Sequence, residues 1–187
     1  MNHRIKDQKA LERYRQLIKS ISEDQAINPL ETPAEQNARI QRAKKDYVFF
    51  IETYFKHYVT SLSADFHIRI AKIIKGNKHI KLLLALGRGL GKSIHLNILL
   101  PLWLWINDDL KVMLLVSQNQ EKACILLSDL QAEFAANQLL AHDFGNQQNI
   151  GSWEEGRFVT KNDCAFFAIG MGQSPRGLRH RQYRPDY

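Results

Sequence analysis

The chain has 187 residues, 44% of them hydrophobic and 24% charged, which is the composition of a globular domain with one well-buried core. No apolar run reaches the roughly 18 to 20 residues of a membrane-spanning helix, and the polar N-terminus lacks the apolar stretch of a secretion signal, so we expect a cytoplasmic protein with no membrane partner. The 2 cysteines and 7 histidines never fall at the spacing of metal ligands, which argues against a zinc site, and the net charge of +7 favours a polyanionic partner.

The N-terminal third of the chain is predicted to be helical. Residues 1 to 38 are polar and are predicted to form a helix at about 8 to 21, followed by a linker that contains two prolines. A second helix is predicted at about 34 to 56, and a third follows the candidate N-cap Ser63 and stops at Gly76. The second helix carries an apolar stripe that we expect to be buried: Tyr47, Phe50, Ile51, Tyr54 and Phe55. We treat residues 39 to 187 as one domain and residues 1 to 38 as a helical extension of it.

From Lys81 onward, the pattern alternates between strand and helix. Apolar strands are predicted at 82–86 and 112–116, amphipathic helices at 92–106 and 119–134, and two short strands at 157–160 and 165–169 after a polar loop. Pro101 is expected to kink or interrupt the first of these helices. Continuous apolar strands that alternate with helices predict an α/β fold with a parallel sheet covered on both faces.

The segment at 87–93, Gly-Arg-Gly-Leu-Gly-Lys-Ser, joins a predicted strand to a predicted helix and has the layout of a phosphate-binding P-loop. Lys92 would supply a positive charge to the β- and γ-phosphates, and the Ser93 hydroxyl would bind Mg²⁺. Backbone N–H groups would come from the residues before them: Gly87, Arg88, Gly89, Leu90 and Gly91. The pattern departs from G-x-x-x-x-G-K-[ST], because Leu86 stands where the first glycine is expected, so a glycine-rich turn without a ligand is the alternative interpretation.

Four segments, in order, carry a family resemblance. The first is the aromatic run at 49–58 with Ser-Ala-Asp-Phe-His at 63–67, and the second is the glycine-rich loop at 87–93. The third is Ser-Gln-Asn-Gln-Glu-Lys-Ala at 117–123, and the fourth is Gly-Gln-Ser-Pro-Arg-Gly-Leu-Arg at 172–179, which leads to Arg-Pro-Asp-Tyr at 184–187. As a set they resemble the large terminase subunit of tailed double-stranded DNA phages, the ATPase that packages the genome into the capsid, over most of residues 47 to 187.

The resemblance implies a P-loop NTPase of the ASCE type that uses ATP and Mg²⁺ to move double-stranded DNA. It further implies a homo-oligomeric ring, a portal protein and a small terminase subunit as partners, and a location in the host bacterial cytoplasm. In that family the loop commonly lacks its first glycine, which accounts for Leu86. The resemblance implies catalytic roles for three arginines besides Lys92. Arg88 would contact the γ-phosphate, and Arg176 and Arg179 would act as a phosphate sensor or a trans-acting finger.

In the family, Arg-Pro-Asp-Tyr is followed by the Walker B strand, whose two carboxylates hold Mg²⁺ and activate water, whereas this sequence stops at Tyr187. We therefore expect a chain that binds ATP and hydrolyses it poorly, as would suit a truncated or split prophage gene.

Several interpretations remain open from the sequence. Arg176 and Arg179 could instead face DNA or form an ordinary basic loop, and Arg88 could be a surface arginine. An adenine pocket could involve Tyr54, Phe55 and Phe66, although aromatic stripes on helices also form cores. For the whole chain, the alternatives are another P-loop translocase or helicase, or a non-catalytic remnant that binds DNA or protein.

Overall fold

The computed structural model describes residues 2–23, 27–59 and 63–187, so part of the predicted linker, at 24–26, lies outside the described residues. The N-terminal part is helical, as expected, with α1 at Asn2–Glu23, α2 at Pro33–Lys45, α3 at Tyr47–Tyr54 and α4 at Asp65–Gly76. Helix α1 packs against a later helix, α7 at Gln120–Ala136, and the Arg13 guanidinium meets both carboxylate oxygens of Asp129 at 2.7 Å. The polar extension is thereby attached to the rest of the fold.

The prediction of one helix at 34–56 was wrong, because the chain breaks at Asp46. Asp46 has an extended backbone conformation, and its carboxylate accepts hydrogen bonds from the N–H groups of Val48 and Phe49, which starts a new helix. Helix α2 before it begins with a capping box formed by Thr32 and Glu35. The predicted apolar stripe is nevertheless buried as expected, and all five residues are at most 3% exposed: Tyr47, Phe50, Ile51, Tyr54 and Phe55.

The predicted N-cap of α4 was also wrong by one residue. The cap is Ala64, which offers no side-chain acceptor, and helix α4 ends at Gly76 as expected. A 3₁₀ turn at Lys56–Tyr58 connects α3 toward α4.

The predicted helix at 92–106 is a continuous helical run with a π turn inside it. It consists of α5 at Lys92–Ile94, the π turn at His95–Leu99 and α6 at Leu100–Ile106. Pro101 has no N–H to donate and its ring crowds the carbonyl four residues earlier, and the wider π turn lies just before it. The helical run does not end at Pro101, which was one of the two predicted effects; it changes helix type locally before Pro101 and continues to Ile106.

The sheet has four strands in the order β1-β4-β3-β2 and is mixed, with one parallel pair. Its strands are β1 at Val112–Ser117, β2 at Trp153–Glu154, β3 at Arg157–Val159 and β4 at Ala165–Gly170. Strand β1 runs parallel to β4, whereas β2 and β3 form an antiparallel extension on the far side of β4. The expectation of an α/β fold is confirmed at this level, and the expectation of a wholly parallel sheet is not.

The strand predicted at 82–86 is not formed. Residues 81–87 have no regular secondary structure, and the side chains of Leu82 and Leu83 are 42% and 93% exposed. A strand needs a neighbouring edge for its N–H and C=O groups, and no described strand pairs with this segment. One edge of β1 faces β4, and the other is partly taken by the residues at 186–187, where the Tyr187 carbonyl accepts from the Leu114 N–H at 2.7 Å.

The main core lies between one face of the sheet and the helices. Met113, Leu115, Phe158 and Phe166 belong to it, together with the buried residues of α3, α6 and α7. The opposite face carries a smaller cluster around Val112, Ala165 and Phe167, partly covered by Leu178. Helix α8, at Gln138–Phe144, follows α7 directly and was not predicted.

Among the described residues, no helix has both the length and the apolar character needed to cross a bilayer.

Candidate functional site

The glycine-rich loop at 87–93 turns sharply into the helical run that starts at Lys92. Gly89 and Gly91 have φ values of 80° and 65°, a region that favours glycine because it lacks a Cβ atom. The helix starts without a side-chain cap, and the N–H groups of residues 91 to 94 donate to no acceptor in the part of the chain that the structure describes. The loop therefore presents a set of free donors at the positive end of a helical run, an arrangement suited to an anion.

The side chain of Lys92 lies across the start of the loop. Its Nζ atom donates to the carbonyl oxygens of Leu86 at 3.2 Å and of Gly87 at 3.0 Å. These two carbonyls hold the ammonium group beside the free N–H groups, and no carboxylate of the described chain lies within 4 Å of it. Arg88, Leu90 and Ser93 are exposed around the same turn, so the loop residues proposed from the sequence lie together at the surface.

Two stacked histidine rings, those of His67 and His95, support the loop. His67 on α4 reaches the loop through its Nε2 atom, which is 2.8 Å from the carbonyl oxygen of Leu90. Because a carbonyl only accepts, Nε2 must carry the proton, and the buried Nδ1 atom of His67 has no partner among the described residues. The ring of His67 stacks on that of His95, with centroids 3.7 Å apart and an interplanar angle of 13°.

His95 connects this support to the core. Its Nδ1 atom lies 3.2 Å from the hydroxyl of buried Tyr47, and burial, together with the neighbouring His67 ring, lowers the pKa of His95 to about 4. A Cβ atom at Gly91 would lie 3.4 Å from the Cδ2 atom of His95, an ordinary contact distance, so the requirement for glycine here comes from its φ of 65°. Sequence reasoning missed His95, because its 28-residue separation from His67 gives no local pattern.

A cavity of about 250 Å³ opens beside the loop, between the start of α4 and the helical run. Phe66, His67, Leu90 and Ile94 are among its lining residues. Of the three aromatic residues considered for an adenine pocket, only Phe66 lies here, since Tyr54 and Phe55 are fully buried in the core.

Gln120, in the third sequence segment, contacts the end of β4 just before the fourth segment begins at Gly172. Its amide accepts from the Gly170 N–H at 3.1 Å and donates to the Ala168 carbonyl at 3.0 Å. Gly170 is required there, because a Cβ atom would lie only 2.6 Å from the backbone nitrogen of Gln120. The first and second segments meet separately, through the contacts of His67.

Arg176 and Arg179 lie in the exposed loop that follows β4. Within the described chain, neither side chain forms a hydrogen bond or an ion pair with residues 87–93. The structure therefore leaves these two arginines apart from the loop. The end of the same segment does reach the helical run, because the Tyr187 hydroxyl donates to the Leu96 carbonyl at 2.8 Å.

The site offers more to the phosphate chain of a nucleotide than to the metal ion that accompanies it. Free N–H groups and Lys92 suit a phosphate chain, whereas Ser93 is the one oxygen ligand that the loop offers to Mg²⁺. Within the described residues, no group of three His, Cys, Asp or Glu side chains is arranged to hold a metal ion. Asp186 is occupied elsewhere, since its carboxylate accepts from the N–H groups of Lys111 and Val112.

Comparison of the chain with models of known protein families and with curated proteins gives no match.

Proposed function

We propose that this chain binds the phosphate groups of ATP through residues 87–93. The observation that carries the proposal is the position of the Lys92 ammonium, held by two carbonyls beside the free N–H groups of residues 91 to 94. In the bound state the γ- and β-phosphate oxygens would replace those carbonyls as partners of Lys92. Ser93 would contribute its hydroxyl to Mg²⁺, which neutralises phosphate charge when bound.

The wider proposal is that the chain is the ATP-binding part of a DNA-packaging motor of the large-terminase type. Its support is the order of the four sequence segments, of which the first contacts the second in the fold, while the third contacts the end of β4, which leads into the fourth. In this proposal, Arg88 contacts the γ-phosphate, and Arg176 and Arg179 act from a neighbouring subunit of a ring or on DNA. Double-stranded DNA, a portal protein and a small terminase subunit are the partners that follow from it.

The test of ATP binding is a titration of the purified chain with a fluorescent ATP analogue, in parent and Lys92→Ala forms. Removal of the charge should weaken binding at least tenfold, or by about 1.4 kcal/mol. Lys81→Ala is the matched control, because Lys81 is an exposed lysine just before the loop. Equal affinities of the parent and Lys92→Ala chains would reject the assignment of the loop.

A further inference from the structure

Four lysines line one groove on the side of the molecule formed by α2, α4 and the end of α6. The groove encloses about 630 Å³, and its lysines come from two helices: Lys44 and Lys45 at the end of α2, and Lys72 and Lys75 on α4. The other lining residues are uncharged: Gln41, Gly76, Trp103 and Asn107. No acidic side chain of the described chain lines this lysine groove, so its surface is positive on both walls.

The lysines of the groove form no direct ion pairs within the described part of the chain. None of the four lysines is within 4.0 Å of a carboxylate oxygen in the described part of the chain. Lys75 is the most constrained of them, because its Nζ atom donates to the Lys44 carbonyl at 3.1 Å and lies 4.2 Å from the ring centroid of Trp103. Burial lowers the pKa of Lys75, the charge of Asp109 opposes this effect, and the charge of Lys44 adds to it to a smaller extent.

A groove with this charge attracts a polyanion whose charges are spaced along a line. Like charges on two facing helices raise the local potential and repel each other. An extended anion that lies between the helices reduces this repulsion. A concave groove of this kind does not suit a flat membrane surface. Its one aromatic residue, Trp103, is 2% exposed, so the groove has no platform on which the bases of a single strand could stack.

We propose that the lysine groove binds the phosphate backbone of double-stranded DNA without reading its sequence. The inference deepens the proposed function and rests on it for DNA as the partner, and it assigns DNA binding to a surface other than the nucleotide loop and the C-terminal arginines. Lysines that contact phosphates contribute to affinity through counterion release, which makes the binding strongly dependent on salt.

The experiment measures binding of a fluorescein-labelled duplex of about 20 base pairs by fluorescence anisotropy, over salt concentrations from about 50 to 200 mM. The test variant is Lys44→Ala/Lys45→Ala/Lys72→Ala, which leaves Lys75 and its packing on Trp103 intact. We expect at least tenfold weaker binding at about 100 mM salt and a log–log salt slope smaller by roughly two to three units, since each phosphate that a lysine neutralises adds about 0.9 to the slope. The matched control, Lys19→Ala/Lys122→Ala/Lys161→Ala, removes the same charge from exposed sites on other elements and should have a smaller effect.

Three further arms decide between this groove and its alternatives. Replacement of Arg176, Arg179, Arg181 and Arg184 by Ala should change DNA affinity less than the triple-lysine variant does. Lys92→Ala should abolish binding of the ATP analogue and retain DNA binding. A failure of the proposed nucleotide site can therefore be distinguished from a failure of the proposed DNA site. A single-stranded oligonucleotide of the same length should bind more weakly than the duplex.

The proposal is overturned if the parent chain does not bind duplex DNA, or if the triple-lysine variant and its control bind equally. It is also overturned if the single strand binds more tightly than the duplex. Melting curves of all variants establish that the exposed substitutions leave the fold unchanged.

Discussion

The rings of His67 and His95 are stacked 3.7 Å apart directly beneath the glycine-rich loop, and they belong to two different helical segments. One ring holds the loop through the Leu90 carbonyl, and the other reaches the Tyr47 hydroxyl in the core. The position of the loop is therefore set by α4 as well as by the helix that follows it. The lowered pKa of His95 keeps its ring neutral near pH 7, so the stack does not bring two imidazolium charges into contact.

His67→Ala should loosen the loop and weaken nucleotide binding. Loss of one hydrogen bond of about 1 kcal/mol predicts roughly fivefold weaker binding of an ATP analogue. The backbone of Leu90 and Gly91 should become more mobile, seen as lower NMR order parameters, which provides a readout that does not depend on nucleotide. His79→Ala is the control, because His79 is exposed and its side chain forms no hydrogen bond or ion pair with the loop in the described chain. Unchanged order parameters at Leu90 would contradict the role assigned to His67.

The purified chain of residues 1 to 187 should show little ATP hydrolysis. Catalysis of phosphoryl transfer depends on positioned groups that hold the metal and orient water. The carboxylates of Asp109 and Asp186 in the described chain are engaged in other contacts. Asp186 accepts two backbone N–H groups at the start of β1, and Asp109 pairs with Lys78 at 3.3 Å. The measurement is steady-state phosphate release. Rapid turnover that disappears in Lys92→Ala would show that another carboxylate acts in the site.

Asp143→Asn should destabilise the fold strongly. The side chain of Asp143 is fully buried and accepts from the Arg39 guanidinium at 2.6 and 2.8 Å and from the Tyr54 hydroxyl at 2.5 Å. Removal of one charge from a buried pair costs about 3 kcal/mol or more, which corresponds to a fall in melting temperature on the order of 10 °C. Asp108→Asn, at an exposed site where φ is 59° and Asn is tolerated, should have little effect.

The same carboxylate predicts how stability depends on pH. Burial raises the pKa of Asp143, but the hydrogen bonds from Arg39, Tyr54, His142 and Gln36 outweigh it and hold the pKa below its usual value. A lowered folded pKa contributes stability above the unfolded value of about 3.9 and loses it as the pH falls through the folded pKa. The difference in unfolding free energy between the parent and Asp143→Asn should therefore narrow below about pH 4, as measured by urea denaturation. A difference that stays constant down to about pH 2 to 3 would assign the effect to packing instead.

Gly170→Ala should destabilise the junction between β4 and α7. The added Cβ atom would lie 2.6 Å from the Gln120 backbone nitrogen and 2.9 Å from the Asn119 carbonyl carbon, so one element must move. Overpacking of this kind costs about 1 to 3 kcal/mol, and the melting temperature should fall by several degrees. Gly76→Ala is the control, because nothing in the described chain lies within 4 Å of its added Cβ atom, and it should be neutral or slightly stabilising. Equal melting temperatures of the two variants would refute the crowding at Gly170.

The local sequence pattern was sufficient to predict the elements whose structure depends on residues that are close in sequence. The apolar periodicity of α7 and the continuous apolar runs of β1 and β4 predicted these elements to within a few residues, and the buried stripe from Tyr47 to Phe55 was identified correctly. The break at Asp46 was missed because the apolar spacing continues through it, although an aspartate before an apolar run is a known cap signal.

The remaining errors concern contacts between distant parts of the chain. The run at 82–86 has the composition of a buried strand, but strand formation depends on a neighbouring edge that composition does not report. The site shows the same division. The loop residues were predicted from their spacing, whereas the stacking of His67 on His95 and the meeting of Lys44 with Lys75 depend on how the helices pack.

The backbone hydrogen bonds of Tyr187 also show in which direction the chain runs along the edge of β1 that β4 does not occupy. The Tyr187 N–H donates to the Val112 carbonyl at 3.3 Å, and the Tyr187 carbonyl accepts from the Leu114 N–H at 2.7 Å, which is the pattern of a neighbour that runs in the same direction as β1. The next groups on this edge are the Leu114 carbonyl and the Val116 N–H, and the Val116 side chain beside them is 53% exposed. A strand that continued the pattern of these two bonds in register would therefore run toward Ser117, in the same direction as β1.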